Sequence, residues 1–233
     1  RRADRSARAA RIAKAIDVRN IEADGIVRAQ RVPNDPLYGP SQARYMEVIN
    51  ATRAWDRTVG TDGVIIAIID SGVAWDQPDL RDRIFYNQRE TPLSGQDADN
   101  NGCVADTVCC KVVGLATAAP SCNYTMAPPN WETNDDEGHG TFVAGLAAAA
   151  GDNGIGMTGI AWNARILPVK VLDCTATGRI SDAAAGIRYA ARMGAQVINV
   201  SFGATTDSLI LREAVQDAQS RGAIIVASAV SSW

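Results

Sequence analysis

Residues 63–70 read Gly-Val-Ile-Ile-Ala-Ile-Ile-Asp, an apolar, largely β-branched run that ends on an acid. A strand with no alternating polar position has no face to offer water, so it must be covered on both sides, as a central strand of a parallel sheet is. The rest of the chain is patterned to match. Strand-like runs at Ile166 to Leu172, Val197 to Val200 and Ala223 to Ala227 alternate with helical patterns. The helices expected are His139 to Ala150, Asp182 to Met193 ended by Gly194, and Asp207 to Arg221 with Leu211, Ala214, Val215 and Ala218 on one face and Gly222 as terminator. Strands alternating with helices predict an α/β fold, a parallel sheet flanked by helices. Further upstream, the breaker cluster Pro33, Pro36, Gly39 and Pro40 precedes a helix expected over Tyr45 to Trp55. Residues 1–16 read as a basic amphipathic helix with Ala9, Ile12, Ala13 and Ile16 on one side, followed by an extended stretch from Val18 to Gln30.

Several functional classes are disfavoured at once. The longest apolar run is the six residues from Val64 to Ile69, against the ~18 a membrane span needs, so no membrane span is expected. The net charge of −3 divides unevenly: residues 1–31 hold nine bases and four acids, leaving the other 202 residues at −8. An acidic globular part is a poor partner for nucleic acid and a good one for cations. Five cysteines, Cys103, Cys109, Cys110, Cys122 and Cys174, accompany a single histidine, His139, without paired C-x-x-C spacing. Structural zinc is therefore disfavoured, and one local disulfide in a secreted or extracytoplasmic protein is expected, its pairing open. The odd count keeps at least one thiol outside any disulfide. With no initiating Met and no signal peptide at Arg1, the natural start is expected to lie elsewhere.

In an open parallel sheet, ligands bind beyond the carboxyl ends of the strands. Asp70-Ser71-Gly72 follows the first strand, Asn199 to Gly203 ends the third, Ser228 to Ser232 follows the last, and His139 opens a helix inside Gly138-His139-Gly140-Thr141. An imidazole with a buried carboxylate partner is the base half of a nucleophilic site. Taken alone, Asp70 also fits a cap, and one His without H-E-x-x-H offers too few ligands for a metal hydrolase. Neither G-x-G-x-x-G nor a phosphate-binding Gly-Lys-Ser/Thr loop occurs, which disfavours a nucleotide-binding domain. Residues 87–137 form a long irregular span of the kind that is functional or inserted. Within it, Asp97-x-Asp99-x-Asn101-Gly102 has the alternate-ligand spacing and turn glycine of a calcium loop, with Asp106 closing the site because the twelfth position is Val108. An Asp-rich solvated turn is the competing reading.

Ile65 to Leu80, "IIAIIDSGVAWDQPDL", and Asp136 to Gly145, "DEGHGTFVAG", resemble the subtilisin-like serine protease family. The resemblance continues in the family's order through "VKVLDCTATGRISD" (169–182), "AQVINVSFG" (195–203) and "EAVQDAQSRGAIIVASA" (213–229). It implies Asp70 as the orienting acid and His139 as general base. It also implies Ser201, Phe202 and Gly203 as one edge pairing with a polypeptide substrate, and Ala176 to Ile180, holding Gly178, as the opposite edge, with Ile180 at an apolar P4 site. A calcium ion held by Asp35, Asp79 and Asn153 with the carbonyls of Ile155 and Met157 is implied too. "VRNIEADGIVRAQ" (18–30) is similar to the last strand of the family's inhibitory propeptide, which makes residues 1–31 the end of a propeptide cut between about Gln30 and Pro33 in a zymogen.

The chain departs from the family's pattern in two places. Phe142 stands where a second His is usual. The Gly-Asn pair that follows the strand at Ala223 to Ala227 in the family, and the Gly-Thr-Ser nucleophile motif, are absent, the chain reading Val230-Ser231-Ser232-Trp233 instead. The expectation is a calcium-stabilised serine endopeptidase whose catalytic domain is incomplete over residues 32–233 by frameshift or truncation, inert as written, with apolar faces uncovered and poor solubility. The alternative is a non-catalytic calcium-binding or peptide-binding remnant.

Overall fold

The computed structural model describes residues 31–92, 94–112, 135–204 and 206–229, in the unit that begins at Arg31. The basic helix and extended segment expected before residue 31, Cys122 with the rest of 113–134, and Val230 to Trp233 lie outside the described residues.

Five strands make one parallel sheet: β1 (Ile65–Asp70), β2 (Cys110–Lys111), β3 (Arg165–Lys170), β4 (Val197–Val200) and β5 (Ile224–Ala227), in the order β2-β3-β1-β4-β5. The all-apolar strand is the central one, as its composition requires. Its side chains alternate between two cores. Ala67 and Ile69 pack with Leu167, Val169, Ile187 and Ile198, whereas Ile68 packs with Ile166, Leu80, Ile84, Ala144 and Ala148. The first core is covered by two helices, Ile180–Arg192 and Leu209–Ser220, and the second by the helix His139–Ala148. The expected parallel α/β architecture is thus observed.

Differences from the expected boundaries have local causes. The single helix expected over Tyr45 to Trp55 is two, α1 (Ala43–Val48) and α2 (Ala51–Trp55), because Asn50 between them is left-handed at φ 56°, a conformation Asn tolerates better than most residues. The helices above are then α3 (His139–Ala148), α4 (Ile180–Arg192) and α5 (Leu209–Ser220). The start of α5 moves from Asp207 to Leu209 because the Ser208 hydroxyl accepts from the Leu211 amide as an N-cap. β3 ends at Lys170 because the amides of Val171 and Leu172 both turn to donate to the Asp70 carbonyl. At the sheet edge, Ile224 and Val226 of β5 are 63% and 49% exposed, so one apolar face is open.

Ile84 bridges to Ile166, and the described part of the long segment after it is irregular apart from β2. Its disulfide joins Cys103 to Cys110, and Cys174 is also disulfide-bonded. Cys109 is buried, its thiol donating to the Cys110 carbonyl at 3.6 Å. Among the described residues no helix is long and apolar enough to cross a membrane.

Candidate functional site

β1 carries Asp70 to its carboxyl end, where the side chain is fully buried. α3 begins at His139, sixty-nine positions along the chain, and its Nδ1 lies 2.8 and 3.0 Å from the two Asp70 carboxylate oxygens. The imidazole remains 43% exposed. The hydrogen bond to Asp70, against a smaller opposing effect of burial and with the charges of Asp70, Glu137 and Asp135 assisting, holds His139 above its ordinary titration range. With Nδ1 engaged by the carboxylate, Nε2 is the nitrogen available to take a proton from an incoming hydroxyl.

The two backbone segments that present this pair are fastened by side chains. The Ser71 hydroxyl donates to Asp135 at 2.8 Å and accepts from the Gly140 amide at 3.0 Å. Asp135 also accepts from the amides of Glu137, Gly138 and Thr141 and from the Thr141 hydroxyl, all between 2.6 and 3.1 Å. Burial pushes the Asp135 carboxyl up, but hydrogen bonds from Thr141, Gly138 and Ser71 together outweigh it and hold the group below the usual carboxylate range. The approach is tight enough that a Cβ on Gly140 would sit 2.1 Å from the Gly72 carbonyl oxygen. Lys170, the register partner of Asp70 on β3, is only 1% exposed and donates to the Ser71 carbonyl and, at 2.6 Å, to Asp136. Sequence reasoning assigned no role to Ser71, Asp135 or Lys170. The acidic run Asp135-Asp136-Glu137 directly before Gly-His-Gly was the available signal.

The candidate substrate edges meet elsewhere along the carboxyl end of the sheet. Gly178, Ile180, Phe202 and Gly203 line a cleft of about 790 Å³ together with Leu172, Leu211 and Ser228. Ser201 is not among its lining residues, its hydroxyl accepting from Asn199 at 2.7 Å. Gly178 is required where it stands, because a Cβ there would come within 2.2 Å of the Val171 carbonyl oxygen.

Both candidate metal regions are acidic, with Asp35 and Asp79 buried in one and Glu90, Asn101 and Asp106 in the other. Asp35 accepts from the amides of Asp152 and Asn153, while Asp79 accepts from the Asn153 side chain at 2.9 Å and the Met157 amide at 2.8 Å. The Asn153 side-chain oxygen accepts from the Ile155 amide, so the five residues form one hydrogen-bonded cluster. In the other region, Asp97 spends both oxygens on the amides of Asn101 and Gly102, and the Asn101 side-chain oxygen accepts from the Cys103 amide. These two therefore shape the loop. Asp99 and Asp106 converge instead with Glu90, which spacing did not single out, their oxygens within 4.8 Å of one another. One carboxylate oxygen of each of the three is buried without a hydrogen-bond partner. Buried carboxylates left half-satisfied are unfavourable, and hard oxygen donors without His or Cys suit calcium or magnesium, so these residues fit such an ion. Burial pushes Asp106 above the usual carboxylate range despite hydrogen bonds from Tyr189, Asn101 and Asn87.

Residues 61–230 match the model of the Subtilase family. The chain is 34% identical over 213 residues to the thermophilic serine proteinase of Bacillus sp. (strain AK1), covering 89% of this chain and 43% of that protein. It is 34% identical over 202 residues to thermitase of Thermoactinomyces vulgaris, covering 84% of this chain and 57% of that one. Among solved structures, sphericase superposes with a TM-score of 0.53 at 30% identity, covering 73% of this chain and 46% of that one. The chain thus spans about half the length of these relatives. With a parallel sheet that delivers a buried Asp to the ring of the sole His, and a family match over most of its length, the chain belongs to the subtilase family.

Proposed function

We propose that these residues are part of the catalytic domain of a serine endopeptidase, carrying its acid–base half. The observation that supports this is the contact between buried Asp70 and half-exposed His139. In that reading Asp70 fixes the imidazole with Nδ1–H donated to the carboxylate, and His139 Nε2 takes the proton of a serine hydroxyl as it attacks the scissile carbonyl. The proton then passes to the leaving amine, and Asp70 stabilises the imidazolium between the two transfers. The polypeptide substrate lies along Ser201 to Gly203 and Gly178 to Ile180 as an added strand, with Ile180 at the apolar part of the cleft.

The nucleophile and the oxyanion donor are not in these 233 residues, which contain neither Gly-Thr-Ser nor a Gly-Asn pair after β5. Loss of a nucleophile removes about 10⁶ of rate in comparable deletions, so these residues alone are inert toward peptides. A second reading, a calcium- or peptide-binding remnant, draws on the acid cluster and the cleft. A serine-directed fluorophosphonate on the natural gene product, together with its intact mass and a re-read of the codons from Ala229 onward, separates the two. A labelled protein whose frame continues into Gly-Thr-Ser is an endopeptidase. An unlabelled protein that ends at Trp233 leaves binding.

Calcium completes the proposal as a structural ion. Glu90, Asp99 and Asp106 hold one, with Asp97 and Asn101 shaping the loop around it; Asp35, Asp79, Asn153 and the carbonyls of Ile155 and Met157 hold another. The bound ion neutralises clustered carboxylates and contributes to folding stability, with no part in the proton transfers. We further read residues 1–31 as the end of the propeptide partner of a zymogen, and the protein as secreted, a reading supported by the Cys103–Cys110 disulfide.

A further inference from the structure

The three acids near β2 repeat one pattern. Glu90 accepts from the amides of Ala98 and Asp99 through one oxygen and leaves the other buried without a partner. Asp99 accepts from the Asn87 side chain through one oxygen, and its second is likewise orphaned. Asp106, 2% exposed, accepts from Asn87, Asn101 and the Tyr189 hydroxyl through a single oxygen, again leaving the other without a partner. Three carboxylates held this close repel one another unless a cation lies among them, so the loop needs a restraint that keeps them convergent. Its backbone adds to that need: Asn100, Gly102 and Ala105 are all left-handed, and the Ala105 amide folds back to the Gln96 carbonyl.

The restraint is the disulfide. Cys103 lies directly after the Asp97–Gly102 turn, and Cys110 is a residue of β2, in register with Val169 of β3. Asp106 sits within the span the bond closes, so the cross-link fastens the ligand-bearing loop to the central sheet. Both sulfurs belong to buried residues, at 7% and 2% exposure.

We propose that the Cys103–Cys110 disulfide is the clamp of a divalent-cation site formed by Glu90, Asp99 and Asp106, so that cation affinity and the oxidation state of the pair are linked. This rests on the calcium reading above. Reduction by a dithiol transfers two electrons and two protons to the pair, breaking the S–S bond to two thiols while the dithiol closes to its own disulfide. The loop then loses its attachment to β2 and the carboxylates move apart. By reciprocity, a bound cation resists reduction by the same factor that reduction weakens the cation.

The Tyr189 hydroxyl bonded to Asp106 places a light-absorbing ring beside the site, which makes terbium luminescence excited through tyrosine, with calcium as competitor, the direct assay on the full 233-residue chain. The oxidised wild type is expected to bind terbium and release it to calcium. With the second ion removed by Asp79→Asn in every sample, Glu90→Gln should abolish this signal, and the double variant Cys103→Ser, Cys110→Ser should bind about tenfold more weakly or worse. Unchanged affinity in the double variant overturns the clamp and leaves the calcium site standing. Unchanged binding in Glu90→Gln overturns both. Since the double variant also changes stability, a second measurement keeps both cysteines: the fraction of Cys103–Cys110 opened at equilibrium across a dithiol redox buffer, read by thiol labelling and mass mapping. Saturating calcium should shift the dithiol-to-disulfide ratio at half-opening about tenfold in wild type and leave Glu90→Gln unaffected; equal midpoints with and without calcium in wild type overturn the proposal.

Discussion

Lys170 and Asp70 are register partners on adjacent parallel strands, yet their side chains serve different halves of one arrangement. Asp70 holds the imidazole, while the Lys170 ammonium holds the carbonyl of the next residue, Ser71, and reaches Asp136 just before the helix that carries His139. The pairing of β1 with β3 thereby sets both ends of the hydrogen-bonded frame around the histidine.

Because His139 is the sole histidine, one imidazole resonance in a proton NMR titration reports the site directly. Its midpoint is expected above the ordinary value of 6.5, and Asp70→Asn should bring it down. A histidine whose titration is raised in the folded state stabilises the fold fully below 6.5, and that contribution is lost as pH rises through the higher folded value. Stability measured in urea across this range should therefore decline with pH in wild type and flatten in Asp70→Asn.

Asp135 has the opposite sign. Its carboxyl is held low in the folded protein, so its contribution is present above the unfolded value of 3.8 and is lost as pH falls through the lower folded one. Asp135→Ala removes the acceptor for Ser71, Gly138 and Thr141 together and should cost about 2–4 kcal/mol at neutral pH, with a shallower acid limb in a urea-melt series.

The ion pair of Lys170 with Asp136 should respond unequally to its two deletions. Lys170 is buried and Asp136 is 39% exposed. Removing the lysine leaves a carboxylate that water can solvate, whereas removing the carboxylate strands a buried cation. Asp136→Ala is expected to destabilise by about 3–5 kcal/mol, more than Lys170→Met, in chemical denaturation. The reverse order would mean that the Ser71 carbonyl is the partner that matters.

Chelation tests the ions through stability. Calcium at a hundred times its dissociation constant adds about 2.7 kcal/mol per site, so EDTA should lower the melting temperature. Glu90→Gln and Asp79→Asn should each remove part of that EDTA-sensitive shift, and no shift in wild type would end the calcium reading.

The core offers a plainer test. Ile68 of β1 is fully buried against Ile166, Leu80 and α3, and Ile68→Ala should cost about 2–5 kcal/mol by urea denaturation.

What could be read from the chain was whatever repeats locally. The unbroken run at Val64 to Ile69 placed β1 at the sheet centre, and the helix periods were right to within a residue or two. Their ends depended on single side chains, such as the Ser208 cap and left-handed Asn50, which carry no periodic signal. At the site, Asp70 and His139 were legible because one ends a strand and the other stands between glycines. Asp135 and Lys170 were not, since Ser71, which ties each of them to the end of β1, lies 64 and 99 positions away and neither residue is picked out by a flanking pattern of its own. The Asp97 to Asn101 spacing suits metal ligands and Asx turns alike, and here it serves the loop's own amides. Glu90 had no spacing to betray it, because the chain doubles back to bring it to Asp106.

The order β2-β3-β1-β4-β5 also governs how the chain can assemble. β1 is made first yet sits in the middle, and its partner β3 follows about a hundred residues later, with Ile65 opposite Arg165. Parallel strands leave no hairpins to nucleate on; β4 and β5 can pair locally across α5, but joining β1 to β3 is a long-range search, which slows completion of the sheet. Loop-closure entropy grows only with the logarithm of length, each doubling costing roughly 0.6 kcal/mol. The length of chain between these strands therefore adds little to the cost of the search, which lets the acidic, cross-linked loop around Cys103–Cys110 lie beside the central pairing at small entropic expense.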